Sequence, residues 1–151
     1  MPTGVRPFVV SLPPSRRTDV MTLRTIEIDG TAIHGIPSLY AELNRVFMPD
    51  EQWTLGESLD ALDDLLYGGF GVLDGAESAL VVWKRADIAR EALGIDATRE
   101  YYRAKLARPE VYSAATAQRA LDALESGAGE TYFELVVRVF RDHRNIELVL
   151  D

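Results

Sequence analysis

The sequence predicts an α/β fold in which helices cover a small three-stranded parallel sheet. Long helical stretches separate the three predicted strands, and residues 79–83 form a continuous apolar run of the type buried on both faces of a parallel sheet. A helical crossover before the second and third strands favours parallel pairing with right-handed connections. The 151 residues suit one domain with a substantial core.

The first half of the chain contains two strands and two helices. Residues 23–28 alternate between apolar and polar side chains and end at an Asp-Gly turn, which predicts the first strand. Apolar side chains spaced i, i+4, i+7 and i+8 from Leu39 predict an amphipathic helix that ends before Pro49. An acidic helix follows, and the apolar run ending at Trp83 is the second strand.

The second half of the chain is mostly helical before a final strand. Its composition predicts helical segments near residues 86–93, 97–107 and 110–125. A capping box at Thr131 and Glu134 opens the last helix. Residues 146–150 form the third predicted strand.

The stretch WTLGESLDALDDLLYGGFG, residues 53–71, is central to the predicted function. Ser58 is a suitable N-cap and Gly68 with Gly69 a suitable left-handed stop, so we expect a helix over residues 59–67. Its leucines share one stripe. The opposite side carries Asp60, Asp64 and Tyr67, spaced i, i+4, i+7. One face must be buried, and the other presents carboxylates.

The negative charge of the chain is concentrated around this helix. Of the 24 acidic residues, eight lie between Val46 and Trp83, where no Lys or Arg occurs. Without these eight, the remaining acids equal the 16 basic residues in number, so this segment carries the whole formal charge of −8. Such a field attracts a basic partner and disfavours direct binding of nucleic acid. A solvated face kept for solubility is the simpler alternative.

Cysteine is absent, which excludes disulfides, a thiolate nucleophile and a Cys-type zinc site. The apolar run near the N-terminus is too short for a signal-peptide core, and no other run has the length of a membrane span. We therefore expect a cytoplasmic protein that does not bind a membrane.

The motif Gly56-Glu57-Ser58-Leu59-Asp60-Ala61-Leu62-Asp63-Asp64, between two predicted parallel strands, carries a resemblance to a known family. With the strand ending in Trp83 and the Val139-Phe140-Arg141 run before the last strand, it resembles the barstar family of intracellular ribonuclease inhibitors. The resemblance implies a protein that plugs the active site of a basic ribonuclease or nuclease toxin, as an immunity protein does. Its carboxylates would replace substrate phosphates.

The resemblance also implies which residues bind the partner. Asp60 and Asp64 match the two principal phosphate mimics, and Asp142 matches a further acidic contact on the last helix. Asp63 stands where the family has a tryptophan. The full predicted set is Trp53, Glu57, Ser58, Asp60, Asp63, Asp64, Tyr67, Gly68 and Asp142.

The segment from Gly94 to Gly129 is longer than its counterpart in the family. We therefore divide the chain into an N-terminal arm, residues 1–20, and one domain, residues 21–151, with a helical insertion at about 94–129. Because the matched motif lies elsewhere in the sequence, we expect the inserted helices to be unnecessary for the primary interface.

Two other classes of function compete with an inhibitor. One is a regulatory module that uses the same acidic face on a basic protein that is not a nuclease. The other is a hydrolase in which Asp60, Asp63 and Asp64 bind Mg²⁺ or Ca²⁺. No histidine lies near these aspartates in sequence, and His34 and His143 read as ordinary loop or helix-end residues. We therefore expect neither enzymatic activity nor a cofactor.

Overall fold

The computed structural model describes residues 23–151, so the predicted N-terminal arm lies outside the described part. The α/β prediction is confirmed, with three strands and six α-helices in this range. The elements in chain order are β1 (Leu23–Asp29), α1 (Ile36–Phe47), α2 (Leu59–Leu66), β2 (Ser78–Lys84), α3 (Ala86–Ala92), α4 (Ile95–Leu106), α5 (Ala114–Glu125), α6 (Tyr132–Arg141) and β3 (Ile146–Leu150).

The sheet is parallel throughout, as predicted, with β2 between β1 and β3. Val81 at its centre pairs in register with Ile26 on one side and Leu148 on the other, and all three are buried. The opposite face is more open, because Val82 is only half-buried and Val149 is 39% exposed. The expectation of burial on both faces is therefore wrong. The strand order explains this difference between the faces. Right-handed crossovers that step in the same direction place their helices on the same side of a sheet, so the other side is left without helices from these crossovers.

The core lies between this covered face and the helices α1, α2 and α6. Trp83, at the end of β2, is fully buried with its ring centroid 5.1 Å from Phe133 and 6.3 Å from Phe140, both on α6. Phe47 at the end of α1 lies 6.3 Å from Phe140. These aromatic contacts join α1, α6 and the central strand, and so fix the framework on which α2 is mounted.

The helix predicted near residues 110–125 begins later than its composition suggests. Helix α5 starts at Ala114 and not near 110, because the Ser113 hydroxyl accepts a hydrogen bond from the Thr116 amide and forms its N-cap. Arg99 of α4 makes a two-pronged ion pair with Glu125 of α5, which holds the two helices together.

Helix α4 is fastened to the core by the start of α6. The buried Thr98 hydroxyl accepts a hydrogen bond from the Tyr132 amide at 2.7 Å and donates one to the Gly94 carbonyl at 2.7 Å. The Tyr132 hydroxyl lies 2.7 Å from that of Tyr40 on α1, and the Tyr101 ring meets the Tyr132 ring edge-on at 4.9 Å. Since the first amides of a helix need partners from outside it, Thr98 sets the place of α4 on the domain.

The buried tyrosine pair leads to a prediction about alkaline stability. Burial raises the pKa of Tyr40 to about 12, and burial also raises the pKa of Tyr132. Between pH 10 and about 12 the folded protein keeps a proton on Tyr40 that the unfolded chain has lost, so the free energy of unfolding falls with rising pH. We expect Tyr40 to account for a loss of about 2 to 3 kcal/mol across that window.

Urea unfolding at a series of pH values from about 9 to 12 measures this loss. The double variant Tyr40→Phe, Tyr132→Phe should lose less stability over the same range, because neither phenylalanine titrates. Parallel curves for the parent and the variant would contradict the assignment.

Candidate functional site

The two predicted caps of α2 are both present. The Ser58 hydroxyl accepts a hydrogen bond from the Ala61 amide at 3.0 Å. Gly68 has a φ of 87°, and its amide donates to the Leu65 carbonyl at 3.0 Å. The helix ends at Leu66 with Tyr67 as its C-cap, so it is one residue shorter than the expected range of 59–67. Ser58 and Gly68, both predicted to bind a partner, therefore also define the helix.

The two faces of α2 differ as the sequence predicts. Leu62, Leu65 and Leu66 are fully buried, whereas Asp60 and Asp64 are exposed. Within residues 23–151 neither of these carboxylates makes an ion pair or a hydrogen bond to a side chain. Their charge is directed to solvent from a helix that the leucines hold in place.

The loop before α2 is positioned by Asn44 of α1. Its side-chain oxygen accepts a hydrogen bond from the Leu55 amide at 2.7 Å, and its amide group donates to the Tyr40 carbonyl at 2.9 Å. The Leu55 side chain is buried in the core. The sequence gives no sign of this role for Asn44, because its partner Leu55 lies across a loop 11 positions away.

Trp53 lies in the same loop with its side chain 48% exposed. Its ring packs against the ring of Phe70, which follows α2 in the chain, with the two centroids 4.8 Å apart. A supported but exposed tryptophan is suited to contact another protein, because little side-chain freedom remains to be lost on binding.

Asp63 is engaged within the protein. Its carboxylate lies 2.7 Å from Nε2 of His143, a residue just beyond α6 that is only 7% exposed. The Tyr67 ring meets the His143 ring edge-on at 4.7 Å and is itself 74% exposed. His143 does lie at a helix end, as expected, but it is also the partner of one of the aspartates, which the sequence did not indicate. The two residues are 80 positions apart, and only folding brings them together.

Asp142 joins the end of α2 in one cleft of about 500 Å³. This cleft is lined by Asp63, Tyr67, Asp142, His143, Arg144 and Asn145. The structure thus brings three of the predicted residues together there. Arg144 is a basic side chain in this cleft that the sequence did not single out.

A second cleft, of about 240 Å³, lies at the other end of α2. Its lining consists of Glu57, Ser58, Leu59 and Asp60 from the start of α2, together with Tyr101, Lys105 and Tyr112 from the inserted region. The insertion is separate from the acidic motif in sequence but not in the fold, because α4 and the loop after it border the first turn of α2. No local pattern reveals this contact, which depends on how α4 packs.

Among residues 23–151 no three acidic or histidine side chains are grouped so that they could hold a metal ion. No helix in that range is long and apolar enough to cross a membrane.

The pairing of Asp63 with His143 predicts that neighbouring aspartates differ in their contribution to stability. Asp63→Ala leaves a buried imidazole without its partner, which should lower the free energy of unfolding by about 1 to 3 kcal/mol. Asp60→Ala, on the exposed face, is the matched control and should change it by no more than about 0.5 kcal/mol. Chemical denaturation of both variants tests the difference, and equal stabilities would show that the pair contributes nothing.

Comparison with known proteins agrees with this geometry. The family model described as Barstar (barnase inhibitor) matches residues 23–145, which include all the predicted partner-binding residues and the inserted helices. A search of curated proteins finds no similar sequence. The family match covers most of the chain and confirms the resemblance seen in the sequence. The chain therefore belongs to the Barstar family.

Proposed function

We propose that this protein inhibits a basic ribonuclease of the barnase class by placing α2 in the active-site cleft of the enzyme. The family is one of inhibitors and not of enzymes. The observation that carries the proposal is the outward face of α2, where Asp60 and Asp64 are exposed and uncompensated within the described residues. A cleft that binds RNA phosphates is cationic, and two carboxylates one helical turn apart can occupy it in their place.

The remaining predicted residues surround these two carboxylates. Trp53 lies before the helix, while Tyr67 and Gly68 lie at its end beside Asp142. We assign the two exposed aromatic side chains as anchors at the edge of the interface and Asp142 as a further acidic contact. Asp63 contributes through its pairing with His143, which ties the end of α2 to the turn after α6.

The direct test is an inhibition assay with barnase as the probe. Cleavage of a fluorogenic RNA oligonucleotide should stop when the protein is added in equimolar amount, because an occluded active site cannot admit RNA. Full activity of barnase in excess inhibitor would overturn the proposal for this class of enzyme.

Asp64→Ala should weaken binding without weakening the fold. Its loss leaves cationic groups of the enzyme buried and unpaired, which costs on the order of 2 to 5 kcal/mol of binding free energy. Stability should change by no more than about 0.5 kcal/mol, since the side chain is exposed and lies one turn from a like charge. Calorimetric titration into barnase and urea unfolding measure the two quantities.

Leu62→Ala is the matched control for that variant. Leu62 is fully buried on the opposite side of the same helix, so its truncation should lower stability by about 2 to 5 kcal/mol through a core cavity. If Asp64→Ala unfolds the protein, or binds barnase as tightly as the parent, the outward face of α2 is not the binding site.

Association with barnase should also be fast and sensitive to salt. The eight-acid segment attracts a basic protein before contact, so the association rate should fall about tenfold or more from low to high ionic strength. Stopped-flow fluorescence measures the rate, and Asp60→Asn with Asp64→Asn should flatten its dependence on salt. A rate independent of salt would argue against electrostatic attraction.

A further inference from the structure

We propose that the inserted region forms a second wall of the binding face, with Tyr112 contacting the bound ribonuclease beside the first turn of α2. This inference rests on the proposed function and extends it to a part of the chain that the acidic motif does not include. The occupant of this part of the face is the rim of the enzyme next to its active-site cleft.

The distribution of exposed aromatic side chains supports this extension. Within residues 23–151 the exposed Trp, Tyr and Phe side chains are Trp53, Tyr67 and Tyr112, at 48%, 74% and 37%. The first two flank α2 and belong to the predicted binding set. Tyr112 lies in the loop between α4 and α5 and lines a cleft with the start of α2. Exposed Tyr and Trp are typical of protein interfaces, and here all three surround one helix.

Lys105 holds the tyrosines of this wall in place. Its ammonium group lies 4.7 Å from the ring centroid of Tyr101 and 5.0 Å from that of Tyr112. A cation over an aromatic face is attracted by the ring quadrupole, so Lys105 limits the freedom of Tyr112. Because Tyr101 also packs on Tyr132 of α6, the wall is connected to the core.

The charge around Tyr112 differs from the charge at the middle of α2. Glu57 and Asp60 line this cleft together with the basic Lys105, so charges of both signs occur here. Contact here therefore depends on packing against a ring that is already oriented, and less on attraction between opposite charges. Such contacts act mainly on the rate of dissociation, whereas exposed charges act on the rate of association.

The experiment compares four proteins in binding to barnase, namely the parent, Tyr112→Ala, Tyr112→Phe and Arg119→Ala. Arg119 is exposed on α5 and does not line the cleft, so its variant is the control within the insertion. Tyr112→Ala should dissociate about tenfold faster, with an unchanged association rate and salt dependence. Tyr112→Phe, which keeps the ring, and Arg119→Ala should both behave like the parent.

A second measurement detects the contact directly. Because the chain has no cysteine, Tyr112→Cys can carry a single photoreactive crosslinker, with Arg119→Cys as its control. We expect barnase to be crosslinked from position 112 and not from 119. Circular dichroism of each variant shows whether the insertion keeps its helices.

The outcomes separate this inference from the proposed function. If the parent inhibits barnase and Asp64→Ala weakens it, but Tyr112→Ala dissociates like Arg119→Ala and position 112 gives no crosslink, the second wall is overturned alone. If the parent neither binds nor inhibits barnase, the proposed function fails and this inference fails with it.

Discussion

Burial of one side of α2 is the constraint on which the acidic face depends. An isolated helix of eight residues is not stable in water, so α2 persists because Leu62, Leu65 and Leu66 pack beneath it against α6 and the following turn. The exposed carboxylates of Asp60 and Asp64 are therefore not needed to hold the helix on the domain. Repulsion between Asp60 and Asp64 costs only a few tenths of a kcal/mol, which the leucines offset many times over. A face of like charges is thus compatible with a stable domain.

A hydrogen bond also joins the two ends of the segment that contains α2 and the loop before it. The Glu51 carboxylate, before the loop, accepts a hydrogen bond from the Gly71 amide, after the helix, at 2.7 Å. Gly71 has a φ of 67°, and a Cβ there would lie 2.5 Å from the Phe47 carbonyl oxygen, so only glycine allows this approach. One of the eight acids therefore has a structural task. Because this hydrogen bond connects the two ends of the segment, the loop with Trp53 and the helix with the aspartates are held together.

Features that are local in sequence could be predicted, and features that depend on packing could not. The Ser58 cap, the Gly68 stop and the leucine stripe follow from hydrogen-bonding and periodicity within a few residues, and the parallel sheet follows from the order of its elements. Neither the contact of Asp63 with His143 nor the approach of Tyr112 to α2 has a local pattern. Both depend on how α6 and α4 pack, and the partner-binding roles themselves remain predictions.

The carboxylate at position 63 and the exposed rings around α2 both bear on which partner the protein would select. By its resemblance to the family, this position corresponds to a tryptophan, whereas here the side chain is a carboxylate bound to the buried His143. The helix therefore lacks an aromatic anchor at its centre. Exposed rings lie instead around it, with Trp53 supported by Phe70 and Tyr112 held under Lys105. Under the proposed function, the carboxylates of α2 are suited to any cationic phosphate-binding cleft, whereas the surrounding rings fit only an enzyme whose rim has complementary shape. Under the two proposals, selection among ribonucleases then depends on rings outside the matched acidic motif.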